Sequence, residues 1–119
     1  MTGWTFRHPG PFLVAGPCVI EPGSVLQRTA DTLAELGRRL DLPVCFKASF
    51  DKANRAALGS ARGPGVAEGL RQLEAVRTTS GLPVLTDIHE SGHAEVVGAV
   101  VDALQIPAFL CRQTDLLQA

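Results

Sequence analysis

The sequence predicts an α/β fold in which about four parallel β-strands alternate with helices. Two observations predict this class: short apolar runs are each followed by a segment with helical spacing of apolar residues, and the pattern recurs along the whole chain. Strand–helix–strand units spaced by roughly 20 to 40 residues are typical of right-handed crossovers in a parallel sheet.

The first half of the pattern begins with an apolar strand at 12–16. A helix follows, with Ser24 and Gln27 in the positions of a capping box and an end near Asp41. After a proline comes a second strand at 44–50.

The remaining elements are predicted from the same signals. In order, they are a polar loop at 51–65, a helix from Val66 to a stop at Gly81, a strand at 83–88, a short helix capped by Ser91, a strand at 103–106 and a helix beginning at Thr114.

Strand parity separates two possible architectures, a doubly wound open sheet and part of a barrel. Lys47, Asp87 and Gln105 all fall on the polar face of their strands, near the carboxyl ends. That edge carries the chemistry in a barrel. An open sheet more often has a glycine-rich phosphate loop after its first strand, and 16–18 is not one. We therefore expect the amino-terminal half of a (β/α)8 TIM barrel.

The length of the chain fits only part of such a barrel. A complete (β/α)8 barrel takes about 250 residues, and this chain has 119. We expect one partial domain over 1–119, with a leader at 1–11 and the strand–helix units at 12–119. The chain is expected to be a fragment or a truncated product.

Composition excludes several classes of protein. Hydrophobic residues make up 45% of the chain and the net charge is −1, which argues against a disordered chain and a nucleic-acid partner. No apolar stretch approaches the roughly 18 residues of a membrane helix, and no signal peptide is evident. Three cysteines without a close pair suit a reducing, cytoplasmic location.

Cationic and amide side chains are densest just after the second strand, at 47–55. Lysine and arginine are donors for phosphate or carboxylate, although a solvated loop is an equally good reading of the spacing. Lys47 is harder to explain as loop solvation, because an unpaired ammonium on an inward face is costly. We expect it to pair with an acid such as Asp87, to hold an anionic ligand, or to do both.

Cysteines and histidines give weaker signals. Cys18 has no second ligand at metal-motif spacing, and a lone cysteine is usually a small buried hydrophobe. Cys45 and Cys111 are predicted to be packing residues. His93 is predicted to lie on an exposed helix face.

Several motifs together resemble the 3-deoxy-D-manno-octulosonate 8-phosphate (KDO-8-phosphate) synthase family. The resemblance runs from about Phe12 to Ala119 and rests on four runs: Lys-Ala-Ser-Phe-Asp-Lys-Ala-Asn-Arg at 47–55, Arg-Gly-Pro-Gly at 62–65, Thr-Asp-Ile-His-Glu at 86–90 and Gln-Ile-Pro-Ala-Phe-Leu-Cys-Arg-Gln-Thr-Asp-Leu at 105–116. The family implies a transferase that condenses phosphoenolpyruvate with D-arabinose 5-phosphate, for lipopolysaccharide core synthesis.

The resemblance also implies roles for particular residues. Lys47, Lys52, Gln105 and the backbone at Ala108 correspond to phosphoenolpyruvate ligands, and Asn54 and Arg55 to arabinose 5-phosphate ligands, with Arg55 on the phosphate. By the same resemblance, Ser49 and Asp87 fall among polar groups near the reacting centre, and the expected catalytic residues are Lys52, Asn54 and Asp87. The family often has hydroxyl residues after 55, where this chain has Ala56 and Ala57.

A divalent metal ion is implied by Cys18, since the metal-dependent type of the family has cysteine at this position. The other expected ligands, a histidine, a glutamate and an aspartate, belong to later strands. The family further implies a homotetramer of complete barrels.

Two alternatives accompany the synthase interpretation. One is a noncatalytic half-barrel that binds anions weakly; the other is a related phosphoenolpyruvate-dependent 3-deoxy-sugar-acid synthase. A half-barrel leaves sheet edges and apolar faces uncovered. The isolated 119-residue chain is therefore expected to be inactive and prone to associate.

Overall fold

A computed structural model describes residues 9–52 and 62–119. No helix in those two ranges is long and apolar enough to cross a membrane. The strands are β1 Leu13–Ala15, β2 Val44–Lys47, β3 Val84–Asp87 and β4 Ala103–Gln105; the helices are α1 Val25–Leu40, α2 Val66–Ser80, α3 His93–Gly98 and α4 Thr114–Gln118, with a short 3-10 helix at Ala108–Leu110.

The four strands form one parallel sheet with the order β1-β2-β3-β4. Each strand pairs with the next one in the chain, and α1, α2 and α3 make the three connections. This confirms the predicted α/β class. It also favours the barrel over a doubly wound sheet, because neighbouring strands of a barrel follow chain order whereas a doubly wound sheet reverses direction at its switch point.

The hydrophobic core lies on one face of the sheet, under the helices. Phe46, Ala48 and Phe50 are completely buried, as their shared parity predicts. They belong to one cluster with Leu73 and with other apolar residues of α1, α2 and α3. The helices form here because their apolar residues recur at three and four positions and can be buried together against the sheet.

Strand β2 is shorter than predicted. Its regular pairing ends at Lys47, whereas the apolar alternation runs on to Phe50. The chain stays close to the sheet beyond that point, since Ser49 forms an isolated parallel bridge with Val19 and its carbonyl accepts the amide of Ile20 at 3.0 Å. This places Ser49 beside the β1–α1 connection.

Helix starts differ from the sequence prediction. Ser24 is the N-cap of α1, but no side-chain capping bond forms. Gln27 instead donates to Asp31 at 2.8 Å, and its carbonyl oxygen accepts from Thr79 at 3.0 Å. The N-cap of α3 is Gly92, one residue after the predicted Ser91, whereas α4 begins at Thr114 as predicted. The contact between Gln27 and Thr79 of α2 forms only after folding, so the local sequence pattern could not reveal it.

The amino-terminal edge of the sheet is held by Asp102. Its carboxylate accepts the amide of Val84 at 2.9 Å and lies 3.8 Å from the Arg77 guanidinium, which also donates to the Val100 carbonyl at 2.8 Å. These bonds join α2, β3 and the turn before β4. They lie at the end of the sheet opposite to the polar carboxyl ends.

Cys45 is expected to be the least reactive of the three thiols. Burial, reinforced by the charge of Asp102, raises its pKa from 9.0 to about 12, and only the thiolate attacks a disulfide reagent. Titration with an aromatic disulfide at pH 8 should modify the exposed Cys18 and Cys111 quickly, and the third thiol only after unfolding. Rapid modification of all three in the native protein would contradict the buried placement.

Candidate active site

Three predicted residues share one face of the sheet at its carboxyl edge. In the register of the sheet, Asp87 of β3 lies directly opposite Gln105 of β4. Lys47 of β2 lies opposite Leu85, two residues before Asp87. Paired residues of parallel strands project to the same side, and so do residues two apart. The structure therefore confirms that Lys47, Asp87 and Gln105 lie on the face opposite the helices.

Asp87 is the centre of the polar contacts on this face. It is almost completely buried, accepts a hydrogen bond from the Ser49 hydroxyl and lies 3.0 Å from Nε2 of His89. The Lys47 ammonium is 4.0 Å from the same carboxylate. The expected pairing of Lys47 with Asp87 is thus confirmed, with Ser49 and His89 as further partners.

Lys52 joins the same group through Ser49. Its ammonium donates to the Ser49 hydroxyl at 2.7 Å, and that hydroxyl donates in turn to Asp87. The Lys47 ammonium thus lies near the Asp87 carboxylate directly, and the Lys52 ammonium is linked to it through the Ser49 hydroxyl. This leaves an excess of positive charge at the carboxyl edge, which suits a small anion carrying carboxylate or phosphate groups.

His89 and His93 pack beside this polar group, and the position of His93 differs from the predicted exposed helix face. Its ring lies edge-on to Phe50 with centroids 5.5 Å apart, and 6.4 Å from the ring of His89. It is only partly exposed, and its Nδ1 is buried, as is that of His89; neither atom has a partner within the described ranges. The prediction of an exposed helix face was wrong because α3 is short and its first turn leans on Phe50.

Gln105 and Ala108 lie on either side of the end of β4. Gln105 is exposed on the polar edge, and its carbonyl accepts the amide of Ile88 at 3.1 Å. β4 ends at Gln105, and Pro107 is the N-cap of the 3-10 helix that begins at Ala108. Both predicted ligands thus lie at the same end of the sheet as Asp87. Asn54 and Arg55 lie outside the described residues.

The cysteines differ in accessibility. Cys18 is exposed, next to the Val19–Ser49 bridge, while Cys45 is buried as predicted. Cys111 is exposed, so its prediction as a packing residue was wrong; it lies in the turn after the 3-10 helix, outside the core. Across the described parts of the chain, no group of three or more His, Cys, Asp or Glu side chains could hold a metal ion. Among the described residues, the exposed Cys18 thiol could contribute to a metal site only together with ligands from other segments.

Comparison with known protein families gives a match over nearly the whole chain. The model of the DAHP synthetase I family matches residues 8–119. The chain belongs to the DAHP synthetase I family. This family has the TIM-barrel fold, so the four parallel strands correspond to the amino-terminal part of such a barrel.

Curated members of the DAHP synthetase I family with high similarity carry one name. Proteins called 2-dehydro-3-deoxyphosphooctonate aldolase are 55% identical in Acidithiobacillus ferrooxidans over 95% of this chain, and 60% identical in a Synechococcus strain over 90%. A relative in Arabidopsis thaliana, called 2-dehydro-3-deoxyphosphooctonate aldolase 2, is 56% identical over 91%. The chain spans 37 to 40% of the length of these relatives.

Proposed function

We propose that this chain is the substrate-binding amino-terminal part of a KDO-8-phosphate synthase, which joins phosphoenolpyruvate to D-arabinose 5-phosphate with release of phosphate. The observation that carries the proposal is that two ammonium groups lie beside the hydrogen-bonded Ser49 and Asp87 side chains at the carboxyl ends of the strands. These are the ammonium groups of Lys47 and Lys52. The relatives' name, 2-dehydro-3-deoxyphosphooctonate aldolase, is another name for this synthase. It supports this substrate pair over that of the related 3-deoxy-sugar-acid synthases.

Phosphoenolpyruvate would bind across β2 and β4. Its carboxylate and phosphate need cations, and Lys47 and Lys52 supply them from positions fixed by Asp87 and Ser49. Gln105, beside Asp87 in the ladder, and the backbone at Ala108 would complete the pocket. Cations held on rigid strand ends need no rearrangement when charge develops on the substrate, which favours catalysis.

Arabinose 5-phosphate would enter beside this pocket, with Asn54 and Arg55 as its ligands and Arg55 on its phosphate. In the reaction, C3 of phosphoenolpyruvate bonds to the aldehyde carbon of the sugar, water adds at C2, and the C2–O bond to phosphate breaks. The aldehyde oxygen takes up a proton. Ser49, Lys52 and Asp87 form a continuous hydrogen-bonded path near this centre and can position or pass a proton.

A divalent metal ion would be held by Cys18 and by ligands outside the described residues. The exposed thiol next to the Val19–Ser49 bridge supports this assignment, because it lies at the carboxyl edge and is free of a disulfide. When bound, such an ion polarises an oxygen atom of water or substrate.

Cys18→Ala is expected to abolish activity that depends on the metal. Thiolate is the strongest donor that this chain offers to a soft or borderline ion. Metal content per protein molecule should fall together with the rate of phosphate release. Cys111→Ala, which removes the other exposed thiol, is the matched control and should retain both. Undiminished turnover of Cys18→Ala in excess chelator would refute the metal assignment.

The synthase activity itself is tested with protein expressed from the complete reading frame. Phosphate release is measured with phosphoenolpyruvate and either arabinose 5-phosphate or erythrose 4-phosphate. We expect release only with the five-carbon sugar phosphate. Release with the four-carbon sugar alone would favour a related synthase, and release with neither would favour a noncatalytic anion-binding role. A cytoplasmic location and a homotetramer form part of the same proposal. The three free thiols support the cytoplasmic location.

A further inference from the structure

Three rings pack edge-on to one another beside the Asp87 carboxylate. The ring centroid of Phe50 lies 5.8 Å from that of His89 and 5.5 Å from that of His93, and the two histidine rings are 6.4 Å apart. We call these three side chains the ring cluster. Edge-to-face contacts at such distances are a favoured arrangement of flat rings. We propose that His93 is a positioning residue for Asp87, because it supports the ring of His89, which holds the Asp87 carboxylate; this inference rests on the proposed function.

The two carboxylate oxygens of Asp87 have different partners. Oδ1 accepts from the Ser49 hydroxyl and lies 4.0 Å from the Lys47 ammonium, whereas Oδ2 lies 3.0 Å from Nε2 of His89. An ionised carboxylate can only accept hydrogen bonds, so Nε2 of His89 is the donor in this pair. The last torsion of an aspartate side chain has broad energy wells. The His89 contact therefore fixes the rotation of the carboxylate, which contacts to one oxygen alone would leave free.

The ring of His89 has one polar anchor and depends on packing for the rest. Its side chain is only 7% exposed, and its Nδ1 is buried without a hydrogen-bond partner in the ranges 9–52 and 62–119. A ring held by one hydrogen bond can pivot unless close-packed neighbours prevent it. Phe50, which is completely buried, is one such neighbour. His93 is the neighbour from α3, so its ring limits the motion of His89 from that helix.

Backbone contacts place the His93 ring beside His89. The amide of His93 donates to the Glu90 carbonyl at 3.0 Å, which closes the turn directly after His89. Ala94 and Val97 of α3 are buried in the hydrophobic core, so the helix is anchored there. Nδ1 of His93 is buried and has no partner in the part of the chain that the structure describes. We therefore infer that His93 acts through the shape of its ring and not through a hydrogen bond of Nδ1.

The test compares His93→Ala with His93→Phe in the protein expressed from its complete reading frame. His93→Ala should lower kcat by about 5- to 10-fold, since small misplacements of reacting groups have large effects. Both KM values should stay within about 2-fold, because Lys47 is fixed by pairing of β2 and the Lys52 ammonium is held by Ser49. His93→Phe keeps a flat ring in the cluster and should retain kcat within about 2-fold. An equal loss of kcat in both variants would contradict the role of the ring.

Val97→Ala is the matched control for loss of packing at α3. Val97 is completely buried in the hydrophobic core, and its truncation should lower the denaturant midpoint at least as much as His93→Ala. It should leave kcat within about 2-fold, since Val97 does not belong to the ring cluster. If Val97→Ala and His93→Ala lowered kcat equally, packing of α3 in general would control activity, and the positioning role would be refuted.

A double-mutant cycle with His89→Ala gives a readout that a merely structural role would not move. His89→Ala removes the residue through which His93 is inferred to reach Asp87. In that background, His93→Ala should lower kcat by less than about 2-fold, because the two substitutions interrupt the same contact. A loss of the same factor with and without His89 would refute the inferred route.

The outcomes separate this inference from the proposed function. A protein that releases no phosphate with phosphoenolpyruvate and arabinose 5-phosphate refutes the function, and the positioning role falls with it. An active protein whose His93→Ala variant keeps kcat within about 2-fold refutes the positioning role alone. If His93→Ala does not fold, His93→Ser replaces it, because serine also lacks the ring and suits the start of a helix.

Discussion

Gly16→Ala is expected to destabilise the protein by at least about 3 kcal/mol, the largest stability effect among single methyl additions to the described glycines. A Cβ at Gly16 would lie 1.9 Å from the Lys47 carbonyl oxygen and 2.8 Å from its carbon. These atoms belong to the backbone of β2, which is paired with β1 up to Phe46 and with β3 at Lys47. The methyl group can be accommodated only if β1 separates from β2 at Lys47, so denaturant unfolding should show a markedly lower midpoint.

Gly92→Ala is the matched control for this prediction. Gly92 has helical backbone angles, φ −62 and ψ −14, and a Cβ there meets no atom within 4 Å. The same change should be neutral or stabilise by up to about 1 kcal/mol, because alanine restricts the unfolded chain. Equal midpoints for the Gly16 and Gly92 variants would contradict the close approach of β1 to Lys47.

Asp87→Asn is expected to lower kcat/KM by at least about 100-fold, with a smaller effect on folding. Asparagine keeps the size of the side chain but removes the negative charge that faces Lys47 and His89. It also replaces a carboxylate oxygen that accepts from Ser49. The ammonium groups then lose their fixed counter-charge, and the proton path through Ser49 ends at a neutral amide oxygen instead of a basic carboxylate. Steady-state kinetics with both substrates would measure the effect.

Asp102→Asn is the control that separates an effect on the reaction from the general effect of neutralising a partly buried carboxylate. Asp102 lies at the opposite end of the sheet, where it accepts the amide of Val84 and approaches Arg77. Its variant should lower the free energy of unfolding by about 1 to 3 kcal/mol and leave kcat/KM nearly unchanged. If both variants lost activity in proportion to stability, Asp87 would have no special place in the reaction.

Much of the fold followed from local spacing in the sequence. The apolar residues of α2, from Leu70 to Val76, recur at helical intervals and are buried, and the helix ends at Gly81 in a left-handed conformation. Alternation along β2 placed Phe46 toward the helices and Lys47 away from them. Both patterns reflect burial of one face, which is the strongest structural signal that a single sequence carries.

Part of the site was predictable for the same reason. Lys47 and Asp87 were expected to pair because their strands place them on one face at one end of the sheet. The resemblance of the 47–55 run to known synthases added Lys52 and Ser49. Their mutual hydrogen bond then appeared in the structure.

Other features depend on contacts between distant segments and could not be read locally. Gln27 fits a capping box, yet Asp31 and Thr79 are its partners. His93 lies against Phe50, which belongs to a different strand–helix unit. Arg62 donates two hydrogen bonds to the Asp51 carboxylate, 11 residues away, and only the turn signal at 63–65 indicated that the chain returns there. Each of these contacts forms only when the secondary-structure elements pack against one another.

The order of the strands has a consequence for how the sheet is built during synthesis. β2 pairs with β1, β3 with β2 and β4 with β3. The partner of each of these strands has therefore already been synthesised when the strand leaves the ribosome. No strand has to wait for a later one to be inserted between itself and its neighbour. Assembly can therefore proceed from the amino terminus onward by addition at one growing edge, while β1 stays at the opposite edge.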